Sequence, residues 1–306
     1  MSTTLVVIYN HSHPANIEKI ERYYSSNFSR IIHVIPFHLT EKENVVSVFE
    51  ISYMFAGHIA SSWSRLVKCD TDFYTFIGDD LILNPTIDEH NLPFQFNVNP
   101  MRAYIDCYFS LGEVNHFWRR AVEAIRWTPN KKGVELPDYF PTAELMFERL
   151  ASTDSFSMIV PREAVIRSYS RFSGKNPLKT LRTNIWTAQS NIKFFSRQSR
   201  NLKYPVIGGY SDIVVIPRNF ISDFCRLCGI FNTLGLHTEL TIPTVLRYLF
   251  GESISTAQNS NVSRAIAWDG NIALDLKNVE NSIESLRDNF PIDLAYAHPV
   301  KLSKFQ

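Results

Sequence analysis

Residues 73–85 read FYTFIGDDLILNP: an apolar run, a glycine, two neighbouring acids and a second apolar run. Adjacent carboxylates such as Asp79 and Asp80 repel one another and lose hydration when partly buried, so a positive group belongs beside them. If the apolar run is a strand of an open α/β sheet, its carboxyl end is where ligands bind. A hard divalent cation held between carboxylate and phosphate oxygens would meet both requirements. The plain alternative is a surface turn whose acids cap the next element.

A second group lies late in the chain, where Gly208-Gly209-Tyr210-Ser211-Asp212 is followed by His237-Thr238-Glu239. A carboxylate within hydrogen-bond reach of a reacting hydroxyl can take its proton. That makes Asp212 and Glu239 candidate bases, with Glu239 preferred because His237 lies two residues away. Each has a structural alternative: Glu239 favouring a helix N-terminus, Asp212 bonding amides of its own turn, His237 serving as an ordinary polar residue.

These groups need elements to position them. Thr4–Tyr9 (TLVVIY) is a continuous β-rich run of the kind buried in a parallel sheet. A polar loop follows, then a helix opened by Pro14 with Ile17, Ile20 and Tyr24 on one face, and a second strand, 30–36. Together they form a βαβ opening. Further helices are expected over 53–69 (apolar side Phe55, Ile59, Trp63, Leu66, Val67), 115–126, 219–234 and from Pro243. Residues 91–110 read as extended or irregular, and the Pro- and charge-rich stretch 127–142 as a lid or acceptor loop. A short strand is expected near SFSMIVP, with a helix from about Arg162. Residues 206–217 read as a Gly-Gly loop and core strand. In the tail a turn at Asp269-Gly270 precedes an amphipathic helix with Val279, Ile283, Leu286 and Phe290 on one stripe.

Composition sets the outer limits. At 306 residues, 45% hydrophobic and 20% charged, the chain can bury a large α/β core. Cys225 and Cys228 form a C-x-x-C inside a helical apolar repeat without a second pair, which suits buried free thiols. Between Arg162 and Lys203 stand ten Lys or Arg and the single acid Glu163, a stretch suited to an anionic partner or to a solvated face. Phosphate-loop and G-x-S-x-G patterns are absent, and there is no nucleic-acid motif. The apolar run Leu5–Tyr9 is too short for a signal-peptide core, and no stretch nears the ~18 apolar residues of a spanning helix. A cytoplasmic protein is expected, with peripheral contact at the inner membrane face left open.

The segment FIGDDLILNP resembles the DxD-type motif region of GT-A glycosyltransferases, including those of bacterial surface-polysaccharide synthesis; Gly78 stands where a strict D-x-D carries its first acid. The resemblance implies a GT-A-like, Rossmann-like mixed sheet flanked by helices, with a largely helical C-terminal part. Residues 1–110 would be the nucleotide-sugar-binding half and 111–306 the acceptor-binding and catalytic half. It implies Mn²⁺ or Mg²⁺ on Asp80, with His237 completing the metal shell and Asp79 contacting the donor. It also implies Tyr9, Asn10 and His11 around the base, and Arg65 near the same crevice. The implied partners are a nucleotide-sugar, UDP-sugar favoured, and a glycan or lipid-linked acceptor. The implied reaction is hexosyl transfer from the donor to an acceptor hydroxyl. A nucleotidyltransferase and a non-enzymatic module binding an anionic partner are the competing readings.

Overall fold

The computed structural model describes residues 1–130, 139–151, 156–166, 181, 185, 188–189, 192–194, 196–260, 262–266 and 282–305. Most of the basic stretch, the middle of the expected lid, the Asp269-Gly270 turn and Val279 lie outside them.

The opening is a βαβ unit: β1 (Thr3–Ile8), α1 (Ala15–Tyr24) and β2 (Ile31–Pro36), with β1 and β2 parallel. β3 (Val45–Val48) joins β2 in parallel, and β4 (Phe73–Gly78) joins the other side of β1 in parallel. β6 (Ala103–Phe109) and β7 (Gly208–Pro217) then enter the same sheet, together with the short β8 (Ile254–Ser255). The order is β3-β2-β1-β4-β7-β6-β8, with β7 antiparallel to both β4 and β6. The expected α/β class and mixed sheet flanked by helices are therefore present. The stretch 91–110, read as extended or irregular, contains the strand β6 after the one-turn α4 (Leu92–Gln95). Its alternation is masked by Asp106, which is buried with a partner rather than exposed.

Alternation along the strands builds a core on each side of the sheet. Val6, Ile8, Val214 and Ile216 face one core, and Leu5, Val7, Ile213 and Val215 face the other. Complete burial of such a side chain stabilises by roughly 1.5–3 kcal/mol, which is why these strands read as unbroken apolar runs. The first core is covered by α2 (Phe55–Ser61), α8 (Ile221–Thr233) and α9 (Thr238–Phe250), among others. α5 (Arg119–Arg126), α6 (Ala143–Ala151) and the single turn α7 (Arg162–Val165) lie on the same side. The second core is covered by α1, α10 (Ile283–Asp288) and a small sheet in the order β5-β10-β9. Its strands are β5 (Ile82–Leu83), β9 (Arg264–Ile266) and β10 (Tyr296–His298). The C-terminal part thus carries strands as well as helices.

Several expected boundaries move for local reasons. The helix expected over 53–69 breaks at Ser62, whose hydroxyl donates to the Ile59 carbonyl at 2.7 Å. A one-turn α3 (Trp63–Leu66) follows, leaving Trp63 47% exposed, so Trp63 is not part of the apolar side. Pro243 sits inside α9 rather than at its start, and His237 caps the helix instead. Gly208 and Gly209 open β7 rather than forming a turn. A Cβ on Gly209 would stand 2.4 Å from the Cys107 carbonyl oxygen and 2.8 Å from Pro243 Cγ, so close packing dictates the glycine. Among the described residues of the SFSMIVP stretch the pairing is one bridge, Ile159 to Asn201. Ile283, Leu286 and Phe290 are buried as expected. Cys225 and Cys228 are free and buried in α8, and burial pushes the Cys225 thiol up to about 12.

Candidate functional site

A cleft of about 520 Å³ opens at the carboxyl ends of β1 and β4. Asn10 and His11 follow β1, and Asp79 and Asp80 follow β4; Tyr53, Arg120, His237 and residues 300–303 complete most of the wall. The strand ends are held level because the Asp79 amide donates to the Ile8 carbonyl at 2.9 Å, extending the β1–β4 ladder.

The two acids have different surroundings. Asp79 is buried, and its carboxylate accepts from the Asn10 amide at 3.1 Å and from Asn16 Nδ2 at 3.4 Å. Burial holds its carboxyl above the usual range, and the Asp80 charge adds to this against the Asn10 bond. Asp80 is half-buried and turns to His298, with Nε2 3.3 Å from Asp80 Oδ1. That oxygen is buried against the His298 imidazole. On the far side His298 Nδ1 lies 3.7 Å from Asp212 Oδ2. Burial opposes charge on this imidazole, but its bond to Asp80 and the charge of Asp212 outweigh it and hold His298 above its ordinary value. The Asp212 carboxyl is raised, by burial first.

Backbone geometry explains the convergence. The β6–β7 register slips between Ile105↔Val214 and Cys107↔Tyr210, so three residues of β7 oppose one of β6. Such irregularities re-aim side chains, and here they fall at Asp106 and Asp212. Asp106 is buried against Arg264 Nε at 3.0 Å and accepts from the Tyr296 hydroxyl. Arg264 and Tyr296 belong to β9 and β10, which also deliver His298. The tail is fixed in turn by the Val300 amide donating to the Asp80 carbonyl at 2.6 Å, and by Lys19 reaching the carbonyls of Leu302 (3.3 Å) and Phe305.

The opposite wall is built around Arg120. Its Nε donates to Glu239 Oε2 at 3.1 Å and its Nη1 to Glu123 at 3.0 Å, while the guanidinium lies 5.2 Å from the Tyr53 ring centroid. His237 Nδ1 accepts from the Glu239 amide at 3.2 Å, and its ring meets the edge of Tyr53. Burial, then the charges of Arg120 and Arg119, lower His237 to about 3.

The site residues read from sequence therefore fall into three groups. Asn10, His11, Asp79, Asp80 and His237 line one cleft. Asp212 and Glu239 stand behind that lining, against His298 and Arg120 respectively. Tyr9 and Arg65 do not reach it. Tyr9 is fully buried, its hydroxyl 2.8 Å from His33 Nδ1, so its ring has no face to offer a base. Arg65 belongs to α3, next to Leu66, whose carbonyl takes the Tyr74 hydroxyl near the start of β4; that is the end of the strand remote from the cleft. The imidazole that touches Asp80 is His298, not His237. Sequence reading missed His298, Arg120, Tyr53 and Lys301. For His298 a signal existed: AYAHPV is a short apolar run ending in a polar residue, the same grammar as FIGDD.

The buried Tyr9–His33 pair carries a testable pH effect. Burial pushes His33 down to about 4, against the attraction of Glu21. A folded value below the unfolded one means stability is present above about 6.5 and is lost as pH falls through 4. Urea midpoints should therefore fall between pH 6.5 and 4.5. His33→Gln should flatten part of that fall, and an unchanged slope would refute the assignment.

Among the described residues no helix is long and apolar enough to cross a membrane, and no group of three or more His, Cys, Asp or Glu forms a ready metal cage. No protein-family model matches the sequence, and no curated protein matches it. Solved structures similar to the chain include the galactosyltransferase LgtC in complex with donor and acceptor sugar analogs, at 10% identity and TM-score 0.36, covering 96% of this chain and 86% of that one. An active-site mutant of LgtC is similar at 9% identity and TM-score 0.36, with the same coverage. The bifunctional glycosyltransferase WbbM, in its apo form, is similar at 10% identity and TM-score 0.37, covering 97% of this chain and 45% of that one.

Proposed function

We propose that the chain is a GT-A-type glycosyltransferase that binds a nucleotide-sugar across this cleft and passes the sugar to a hydroxyl of a glycan or glycolipid. The observation that carries this reading is the pairing of Asp80 with His298 at the end of β4, in a cleft that also presents Arg120 and Lys301. Acids alone would repel a diphosphate. Acids joined to an imidazole and faced by two cations form a site for a phosphate group accompanied by a divalent cation.

The residues fit such a cation in part. Asp80 Oδ1, buried, and the neighbouring His298 nitrogen are an oxygen and a nitrogen donor side by side. The donor's own diphosphate oxygens and water would complete the shell of Mn²⁺ or Mg²⁺. When bound, the cation supplies positive charge to the departing diphosphate. Asp79, fixed by Asn10 and Asn16, keeps the strand end rigid and offers acceptor lone pairs to a ribose or sugar hydroxyl.

In the transfer, the acceptor oxygen bonds to the anomeric carbon as the bond from that carbon to the diphosphate oxygen breaks. The hydroxyl proton passes to a carboxylate. Of the two candidates, Glu239 has one oxygen engaged by Arg120, whereas Asp212 is half-exposed beside His298. Glu239 is then a positioning residue for Arg120.

The test is calorimetric titration of the full chain with UDP, GDP and CMP, each with and without Mn²⁺. Micromolar, Mn²⁺-dependent binding of one nucleotide supports the reading and names the donor class; UDP is the expected one. Binding of none overturns it.

A further inference from the structure

We propose that a second pocket, on the same edge of the sheet, is a saccharide-binding subsite that holds one neutral sugar ring. It lies at the end of β6 and the start of β7, has a volume of about 220 Å³, and is lined mainly by Phe109, Trp118 and Tyr210 with Glu113, Asn115 and His116. Its role as the acceptor subsite rests on the transferase reading; its affinity for a saccharide does not.

Three aromatic rings from three segments converge there without being buried. Phe109 ends β6, Tyr210 is the third residue of β7 and Trp118 precedes α5; all three are half-buried. Phe109 stands 5.2 Å from Trp118 and 6.3 Å from Tyr210, centroid to centroid, each at 64°. Core aromatics of this chain, such as Phe76 and Phe224, are wholly buried. These rings instead keep apolar surface in water, an arrangement that marks a binding site when polar groups rim it.

The rings are also held in place. A Cβ on Gly208 would lie 2.7 Å from both Phe109 Cε2 and Trp118 Cη2, so the two rings rest directly on bare backbone. The Trp118 amide donates to the Ala164 carbonyl at 3.1 Å, anchoring the start of α5. A rigid aromatic platform loses little conformational freedom on binding.

The rim selects the chemistry. Glu113, Asn115 and His116 are exposed, and among the described residues the lining holds one acid and no Lys or Arg. A carboxylate, an amide and an imidazole together accept from and donate to hydroxyl groups, whereas an anionic ligand would be repelled by Glu113. An apolar platform beneath a rim of donors and acceptors matches a pyranose, which has a C–H face and an edge of hydroxyls. The volume falls below the ~300 Å³ at the lower end for drug-sized ligands, enough for one ring and too small for a nucleotide. Position agrees: Arg120, two residues after Trp118, lines the cleft, and Asp212 lies two residues after Tyr210.

The experiment is a glycan array probed with the full-length protein, biotinylated and preassembled on streptavidin so that weak single-site binding is read through avidity. The wild type should bind a defined group of neutral glycans. The Asn115→Ala/His116→Ala double variant, altered only at exposed positions, should bind them at least tenfold more weakly, as should Trp118→Leu if it folds. UDP–Mn²⁺ titration of the double variant should match the wild type. No glycan bound, or binding unchanged in the double variant, overturns the proposal, as does glycan binding that survives in the double variant and is lost in Asp80→Ala. Glycan binding that depends on this pocket in a protein that binds no nucleotide would sink the transferase reading alone.

Discussion

Asp80→Asn should lower sugar transfer at least a hundredfold and abolish the Mn²⁺ dependence of nucleotide binding, while leaving the melting temperature within a few degrees of wild type. The substitution keeps shape and removes charge. Asp80 is half-buried and its carboxylate contributes little to packing, so the fold survives. What goes is the oxygen donor facing His298, and with it the charge that draws a divalent cation. Losing one electrostatic group aimed at developing charge commonly costs ~10²–10³ in rate. His298→Ala should weaken metal-supported binding by about 10–100-fold, and the double variant should be scarcely worse than the stronger single one, because residues acting as a unit are not additive. Nucleotide release from the donor, followed against Mn²⁺ concentration, reads all three. Asp80→Asn that retains Mn²⁺-dependent binding would remove the metal from this acid.

Arg120→Ala should cost about 3 kcal/mol in stability and at least tenfold in donor affinity. Its side chain is 15% exposed and bridges Glu239 and Glu123 behind the cleft lining, so its removal leaves Glu239 without its cation, while Glu123 keeps Arg119 at 3.3 Å. Breaking one side of a largely buried pair is costlier than never having it, because the partner charge remains desolvated. Burial already raises the Glu239 carboxyl, and Arg120 is what counters it. Arg120→Lys should recover part of the stability but little of the affinity, since an ammonium cannot engage two carboxylates in the geometry of a planar fork. Glu239→Gln in the Arg120→Ala background should restore part of the stability by removing the unpaired charge. Urea unfolding of the wild type, Arg120→Ala, Glu239→Gln and their double variant forms a double-mutant cycle, and additivity within about 0.5 kcal/mol would show that the two residues do not act together.

The distinction between what could and could not be read in advance follows from the range of the interactions involved. β1 and β4 announced themselves because both faces of each are buried, which leaves an unbroken apolar run on a single short stretch. Asp79 and Asp80 stood out because two adjacent carboxylates at the end of an apolar run repel one another and lose hydration when partly buried. Tyr9 misled because its position at the strand end was right while its rotation was not: the hydroxyl turns inward to His33, a partner 24 positions away. Arg65 misled because a helix before the acidic strand was assumed to lie beside its carboxyl end, whereas the segment that feeds β4 ends near the strand's start, where Leu66 takes the Tyr74 hydroxyl. His298 could be placed only through the small sheet, where β10 pairs with β5 from the first third of the chain. Pairing across that separation leaves no periodic trace in either segment.

β7 belongs to the last third of the chain yet pairs with β4 along five registered residues in the middle of the main sheet. During synthesis the first four strands can associate as soon as they emerge, because each has a parallel neighbour close in sequence. The free edge of β4, including Tyr74 and Phe76, then waits while the intervening residues are made, on the order of ten seconds at ordinary elongation rates. An open, apolar strand edge is a template for pairing with another chain, and closing so long a loop slows folding beyond what the helical elements would set. Expression yield should therefore depend on chaperone supply and growth temperature more than on the stability of the finished fold, and an N-terminal fragment ending before β7 should collect in inclusion bodies.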